Sequence, residues 1–183
     1  VLSADILGQV YERFLGKVIR LTAGHQAKVE EKPEVRKAGG VFYTPDFITK
    51  AIVRQTVGPL VEGKTPRQAA KLRVLDMACG SGSFLLEVFQ FLLDWHRDAY
   101  VKDGPEKHGK ELYRAGNEWR LTTDERKRIL LNNVFGVDID AQAVEVTKLS
   151  LLLKVLEGES QETLTKQFEL FHKRALPDLG DNI

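Results

Sequence analysis

The sequence predicts an α/β fold built on a parallel sheet, and three observations predict it. A short apolar run, Leu72-Arg73-Val74-Leu75-Asp76-Met77, ends in the small-residue turn Ala78-Cys79-Gly80-Ser81-Gly82-Ser83. A mostly apolar stretch from Phe84 to Tyr100 follows with a helical pattern. A second run, Val134-Phe135-Gly136-Val137-Asp138, again leads into a helical pattern from Ala141 to Leu156. Strand, glycine turn, helix, strand, helix is the order of βαβ units, whose strands lie parallel. Only two strands stand out, so the expectation is a partial sheet preceded by a helical segment.

The elements follow in chain order. Residues 5–20 predict an amphipathic helix, with Leu7, Val10, Tyr11, Phe14 and Val18 at helical spacing. Residues 21–39 are polar, with a Lys/Glu-rich stretch from Lys28 to Lys37, and predict a solvated loop. Thr44 is a good N-cap and Pro45 suits a first helical position, where no N–H is needed. The helix they start carries Phe47, Ile48, Ile52 and Val53 and stops near Val57, where Gly58-Pro59 breaks it. Residues 62–71, with Thr65-Pro66, form a short connection to the first strand. Residues 101–121 are a polar insertion of mixed charge. Thr122-Thr123-Asp124-Glu125 fits a capping box and starts a helix to about Asn132. Residues 159–171 carry a helical pattern, and a polar stretch runs to Ile183. The expected division is a helical segment, 1–60, and a ligand-binding part, 61–183.

Composition excludes several classes. With 43% hydrophobic residues among 183, the chain suits one ordinary soluble domain or part of a larger one, not a disordered tail. No run reaches the roughly 18 apolar residues of a membrane span. No basic, apolar, small-residue signal opens the chain, and the one cysteine, Cys79, suits a reducing compartment, so the expected place is the cytoplasm. A single cysteine also excludes a disulfide framework, and the four scattered histidines give no metal spacing. Lys plus Arg is 27 against 26 Asp plus Glu, so the net charge of +1 shows no basic excess of the kind a free-standing nucleic-acid binder carries.

The chemistry concentrates at two strand ends. Asp76 stands at the carboxyl end of the first strand, where open α/β sheets bind ligands. Gly80 and Gly82 allow a tight turn and close approach of a ligand, and the next helix aims its N–H groups at the same point. A dinucleotide site wants a third glycine where Leu85 stands, and a P-loop wants Gly-Lys-Ser/Thr where Ser83 and Phe84 stand. A ligand with a cationic amine and no pyrophosphate, such as S-adenosylmethionine, suits an acid placed before the glycines. A turn with no ligand is the plainer alternative. Asp138 can accept hydrogen bonds from both hydroxyls of a ribose, and Ile139 beside it can cover an adenine face. Asp140 is the ribose acid instead of Asp138, or an N-cap for the following helix; Asp138 is preferred because it lies at the strand end. Asp76 and Asp138 lie much further apart than the usual spacing of about 20 residues, so the 101–121 insertion has to loop out. Thr44 offers a hydroxyl near a helix N-terminus, beside its plain role as a cap. Cys79 has no histidine partner nearby and suits packing better than nucleophilic attack.

Three boxes stand in order: Gly40-Val41-Phe42-Tyr43-Thr44-Pro45, then Asp76-Met77-Ala78-Cys79-Gly80-Ser81-Gly82-Ser83-Phe84, then Phe135-Gly136-Val137-Asp138-Ile139-Asp140. Together they resemble the amino-terminal part of the adenine-specific (amino-N6) DNA methyltransferases. The branch most like this chain is that of restriction–modification enzymes with fused activities and related phage-defence methyltransferases. Ile6-Leu7-Gly8-Gln9-Val10-Tyr11-Glu12-Arg13-Phe14-Leu15-Gly16 resembles the same branch. The resemblance covers nearly the whole chain outside 21–37 and 101–121.

The resemblance implies a partial Rossmann-like S-adenosylmethionine-dependent methyltransferase fold. It implies that Tyr43, Thr44 and the glycine box hold the methionine end of S-adenosylmethionine. Thr44 would contact the carboxylate, Asp76 with the backbone of Ala78, Gly80 and Gly82 the amino acid moiety, Asp138 the ribose and Ile139 the adenine. The implied partner is double-stranded DNA, from which the target adenine is flipped. In the family an Asn/Asp-Pro-Pro-Tyr/Phe box then positions the adenine amine for in-line transfer. This sequence contains no Asn-Pro or Asp-Pro dipeptide, so no catalytic residue is assigned. The expectation is therefore the cofactor-binding fragment of a bacterial restriction or defence enzyme, inactive by itself, with DNA held mainly by other regions. A methyltransferase acting on RNA or protein and a non-enzymatic scaffold are the rival classes. A nicotinamide dehydrogenase lacks its third glycine.

Overall fold

Short apolar runs bounded by turn residues become strands, and longer runs with helical period become helices. In the computed structural model, which describes Gly8, Val10, Tyr11 and residues 17–31, 44–159 and 177–183, the first elements are β1 (Lys17–Leu21) and β2 (Ala27–Glu31). Then come α1 (Asp46–Thr56) and two single-turn helices, α2 (Gly58–Val61) and α3 (Pro66–Ala69). They lead to β3 (Val74–Asp76) and the long α4 (Ser83–Asp103). Next are β4 (Leu112–Ala115), β5 (Glu118–Leu121) and α5 (Thr123–Asn133). The last described elements are β6 (Val134–Gly136) and α6 (Ala141–Leu156). The helical pattern at 159–171 falls, from residue 160 on, outside the described residues.

The two expected strands pair. β3 and β6 are parallel, in the register Val74↔Val134, Leu75↔Phe135, Asp76↔Gly136. Alternation puts Val74, Val134 and Gly136 on one face and Leu75 and Phe135 on the other. α4 lies directly on the first face: a side-chain carbon at Gly136 would sit 2.6 Å from Leu85 Cδ1. Leu85, Phe89 and Leu92 of α4 recur at helical spacing and are fully buried. They share a core with Val53 of α1, Ile129 and Leu130 of α5, and Leu151 and Val155 of α6. Each such side chain contributes about 1.5–3 kcal/mol on burial.

Two asparagines hold the strands in place. Asn133 Nδ2 donates to the carbonyls of Ala69 and Leu72, tying the end of α5 to the segment entering β3. Asn182 Nδ2 donates to the carbonyls of Leu131 and Val134, and its own carbonyl accepts from Gly136 N–H at 2.8 Å. Residues 177–183 are thus packed along β6, with Leu179 buried.

Three expectations need correction. Residues 17–31 are an antiparallel hairpin, not the end of a helix and a loop. Val18-Ile19-Arg20-Leu21 and Ala27-Lys28-Val29-Glu30 flank Thr22-Ala23-Gly24-His25, and this hairpin signal outweighs the helical spacing of Val18. The 101–121 insertion also contains a hairpin, β4–β5, anchored by the buried register pair Leu112 and Leu121. Pro45, not Thr44, is the N-cap of α1, and no side chain caps that helix. The connection 62–71 holds a one-turn helix closed by a full Thr65–Gln68 capping box.

One buried histidine links this core to pH. His96 is fully buried on α4, with Nδ1 against the Leu92 carbonyl at 2.8 Å. Burial lowers its pKa from the ordinary histidine value. The unfolded chain, titrating this group near ~6.5, therefore binds the extra proton first, so stability is full above that pH and falls as pH drops below it. Melting temperatures measured from pH 8 to 5 are expected to decline below about 6.5, and His96→Phe is expected to flatten that decline.

Candidate functional site

The site is built where β3 and β6 part. The strand pairing continues one step, with Val137 N–H donating to the Asp76 carbonyl at 2.8 Å and Cys79 N–H to the Val137 carbonyl at 3.0 Å. Asp76 Oδ1 accepts from Ala78 N–H at 3.1 Å, so the acid folds its own turn. Gly82 has φ +85° and caps α4, a conformation that L side chains rarely adopt. A side-chain carbon there would also lie 2.8 Å from Thr147 Cγ2. Thr147, buried on α6, donates from Oγ1 to the Gly80 carbonyl at 2.8 Å and props the turn from below.

Asp138 locks the turn to the second strand. Its Oδ2 accepts from Gly80 N–H at 2.8 Å, across 58 positions of sequence. Its Oδ1 accepts from Asp140 N–H at 2.8 Å. Each oxygen keeps a second lone pair, which is the acceptor capacity a pair of hydroxyls needs. Asp140 has a different task. It is the N-cap of α6, with Oδ1 accepting from Gln142 N–H at 2.9 Å, and its Oδ2 accepts from the Tyr11 hydroxyl at 3.3 Å.

The six expected residues Asp76, Ala78, Gly80, Gly82, Asp138 and Ile139 converge at the carboxyl end of the strand pair. Ile139 is fully exposed there and Met77 nearly so, leaving two apolar side chains uncovered beside the acids. Thr44 is half-buried, one residue ahead of the α1 cap. Tyr43 lies outside the described residues. Thr147 and Tyr11 were not singled out as site residues by sequence: one is a threonine inside an apolar helix, the other one apolar-face aromatic among several. Cys79 is buried, and burial first, then the charges of Asp138 and Asp76, push its thiol pKa up. It stays protonated and packs under the turn instead of acting as a nucleophile.

The charges at this end of the strands are of both signs. Three carboxylates, of Asp76, Asp138 and Asp140, stand within one loop cluster, together with the N-termini of α4 and α6. Helix N-termini alone favour an anion, but three carboxylates beside them oppose one and favour positive charge and hydrogen-bond donors.

Comparison with known proteins gives a consistent picture. A family model described as N-6 DNA methylase matches residues 2–173. The chain is 34% identical over 183 residues to a type II restriction enzyme and methyltransferase of Escherichia coli, covering 100% of this chain and 17% of that protein. It is 28% identical over 163 residues to the adenine-specific methyltransferase PglX of Streptomyces coelicolor, covering 89% of this chain and 11% of PglX. It is 26% identical over 183 residues to the adenine-specific methyltransferase BrxX of Escherichia coli, covering 82% of this chain and 13% of BrxX. The chain thus spans less than a fifth of the length of each of these relatives.

Gly82→Ala is expected to cost about 1–3 kcal/mol, since it combines a left-handed backbone with a clash. Thr147→Ala removes the clashing group and also the prop. Urea unfolding of the two single variants and the double variant should show less than additive loss, because the two side chains compete for one space.

Proposed function

Because the chain belongs to the N-6 DNA methylase family, we propose that it forms the S-adenosylmethionine-binding part of a DNA adenine-N6 methyltransferase from a bacterial restriction–modification or defence system. The observation that carries this reading is the hydrogen bond from Gly80 N–H to Asp138, which brings the glycine turn and the second acid into one cluster. The relatives' own descriptions, as restriction enzyme and methyltransferase or as adenine-specific methyltransferase, favour DNA adenine over RNA or protein.

The residues present fit the cofactor. Its ammonium and its ribose diol are donors, and Asp76 and Asp138 are the acceptors nearest the turn. In this assignment the Asp76 carboxylate and the backbone of Ala78, Gly80 and Gly82 hold the amino acid moiety. Thr44 contacts its carboxylate. Asp138 accepts from the ribose hydroxyls with its remaining lone pairs. The exposed Ile139 side chain covers one face of the adenine and is buried by it. When bound, S-adenosylmethionine supplies a methyl group on a sulfonium, ready for transfer to a nitrogen nucleophile. The chain's own contribution is to orient the cofactor, since both Asp138 oxygens are fixed by backbone before any ligand arrives.

The same reading makes β3 and β6, with α4 and α6, part of a Rossmann-like methyltransferase fold, with residues 1–60, the β1–β2 hairpin among them, in front of the cofactor part at 61–183. Double-stranded DNA is the substrate, with its adenine flipped out of the stack. With no Asn-Pro or Asp-Pro dipeptide among them, these residues by themselves hold cofactor without methylating DNA.

Calorimetric titration of the full-length protein with S-adenosylmethionine tests the reading. Binding is expected, and Asp138→Ala should weaken it at least about tenfold, the scale of a lost hydrogen bond to a charged group. Asp138→Asn, which keeps one acceptor for Gly80, separates lost binding from lost folding. Mass spectrometry of DNA incubated with enzyme and cofactor should show N6-methyladenine. A folded protein that takes up no S-adenosylmethionine, or that binds a nicotinamide dinucleotide instead, overturns the assignment.

A further inference from the structure

The amino-terminal segment reaches both halves of the site. Gly8, Val10 and Tyr11 are helical, and Gly8 is buried. Gly8 lies so close to the glycine turn that a side-chain carbon on it would stand 3.3 Å from Ser81 Oγ. Three positions on, the Tyr11 hydroxyl donates to Asp140 Oδ2 at 3.3 Å, across 129 positions of sequence. Asp140 N–H in turn donates to Asp138 Oδ1, and Gly80 N–H to Asp138 Oδ2. A continuous hydrogen-bonded line therefore runs from Tyr11 through Asp140 and Asp138 to the glycine turn.

We propose that Tyr11 is a positioning residue for the cofactor site, strapping the amino-terminal segment across the loop that carries Asp138. This rests on the cofactor reading given above. The physical need is plain. Asp138 and Asp140 sit two residues apart on one loop, and a carboxylate keeps one orientation only where donors hold its oxygens. Asp140 has one oxygen on its helix cap, and the Tyr11 hydroxyl supplies the donor for the other. With Asp140 held at both oxygens, its N–H is fixed, and so is the Asp138 oxygen that accepts it. Burial first, then the Asp140 charge, push the Tyr11 hydroxyl pKa up to about 12, so the donor keeps its proton throughout the working pH range. Tyr11 acts through Asp140 and Asp138. Gly8 adds a second point of attachment that no hydroxyl chemistry shares.

Four versions of the full-length protein test the strap: wild type, Tyr11→Phe, Asp140→Ala and the double variant. Tyr11→Phe keeps the ring and removes one donor. It is expected to raise the S-adenosylmethionine Kd and KM by roughly fivefold, through faster release, with kcat at saturating cofactor unchanged. Ligand-free amide exchange at Asp140 and Gly80 should quicken in Tyr11→Phe while the melting temperature holds. The double variant should bind no worse than Asp140→Ala, since the two side chains act through one bond. Gly8→Leu, which lifts the segment off Ser81 without touching the hydroxyl, should weaken cofactor binding in the same direction. If wild type binds S-adenosylmethionine and Tyr11→Phe binds it equally, the strap is overturned while the cofactor reading stands. Equal losses in kcat and melting temperature would also overturn it, as the mark of a merely structural role. If folded wild type binds none, the cofactor reading itself falls and takes this role with it.

Discussion

The carboxylate of Asp138 is the interaction on which the rest of the site depends. It accepts Gly80 N–H on one oxygen and Asp140 N–H on the other. Bonds from backbone N–H to an ionised carboxylate are shorter and stronger than neutral ones. Here they fasten the first βα turn to the loop leaving the second strand. The strand pairing alone is only three residues long in each partner, which is little to hold a turn in one conformation. The turn is accordingly braced from three directions: Asp76 on Ala78 N–H, Asp138 on Gly80 N–H and Thr147 on the Gly80 carbonyl. Loss of Asp138 would leave Gly80 N–H without its acceptor.

The long sequence gap between the two acids has a structural resolution. α4 continues to Asp103, and the chain then spends its surplus length on a hairpin and α5 before re-entering the sheet as β6. None of this excursion disturbs the register of β3 on β6. It has its own fastening. Thr122 caps α5 through Glu125 N–H, but Glu125 does not fold back to complete the box. Its side chain turns inward to the Tyr100 hydroxyl at 2.7 Å and to Arg128. That choice ties the start of α5 to the end of α4, and burial with this carboxylate contact pushes the Tyr100 pKa up. A local cap is traded for a contact that closes the insertion onto the body.

What the sequence made legible follows the range of the interactions involved. β3, its glycine turn, α4, β6 and α6 were all foreseeable, because period, glycines and caps act over a few residues. Asp140 as an N-cap was one of two readings, and the bond to Gln142 decides it. The β1–β2 hairpin was missed because Val18 fits a helical face and a strand equally well. The β4–β5 hairpin was missed because only Leu112 and Leu121 among its residues are deeply apolar anchors, and polar neighbours hide them. Thr147 and Tyr11 were beyond reach for a different reason. Their partners lie 67 and 129 positions away, and nothing local marks a threonine or tyrosine for such a contact.

Charge arithmetic alone is a poor guide to partners in this chain. A net charge of +1 averages over a surface on which three carboxylates crowd one end of the strand pair. That end is locally acidic, whatever the total. The sheet faces are unequal too. α4 covers the side of Val74, Val134 and Gly136, while Leu75 and Val137 on the other side remain more than half exposed among the described residues. Parallel sheets are normally buried on both faces. The described residues thus amount to one layer of a sandwich around the strands, with an acid-rich end and an apolar face that they leave open. Under the proposed function, the balanced charge and a DNA substrate are compatible, because the phosphate contacts are assigned outside that layer.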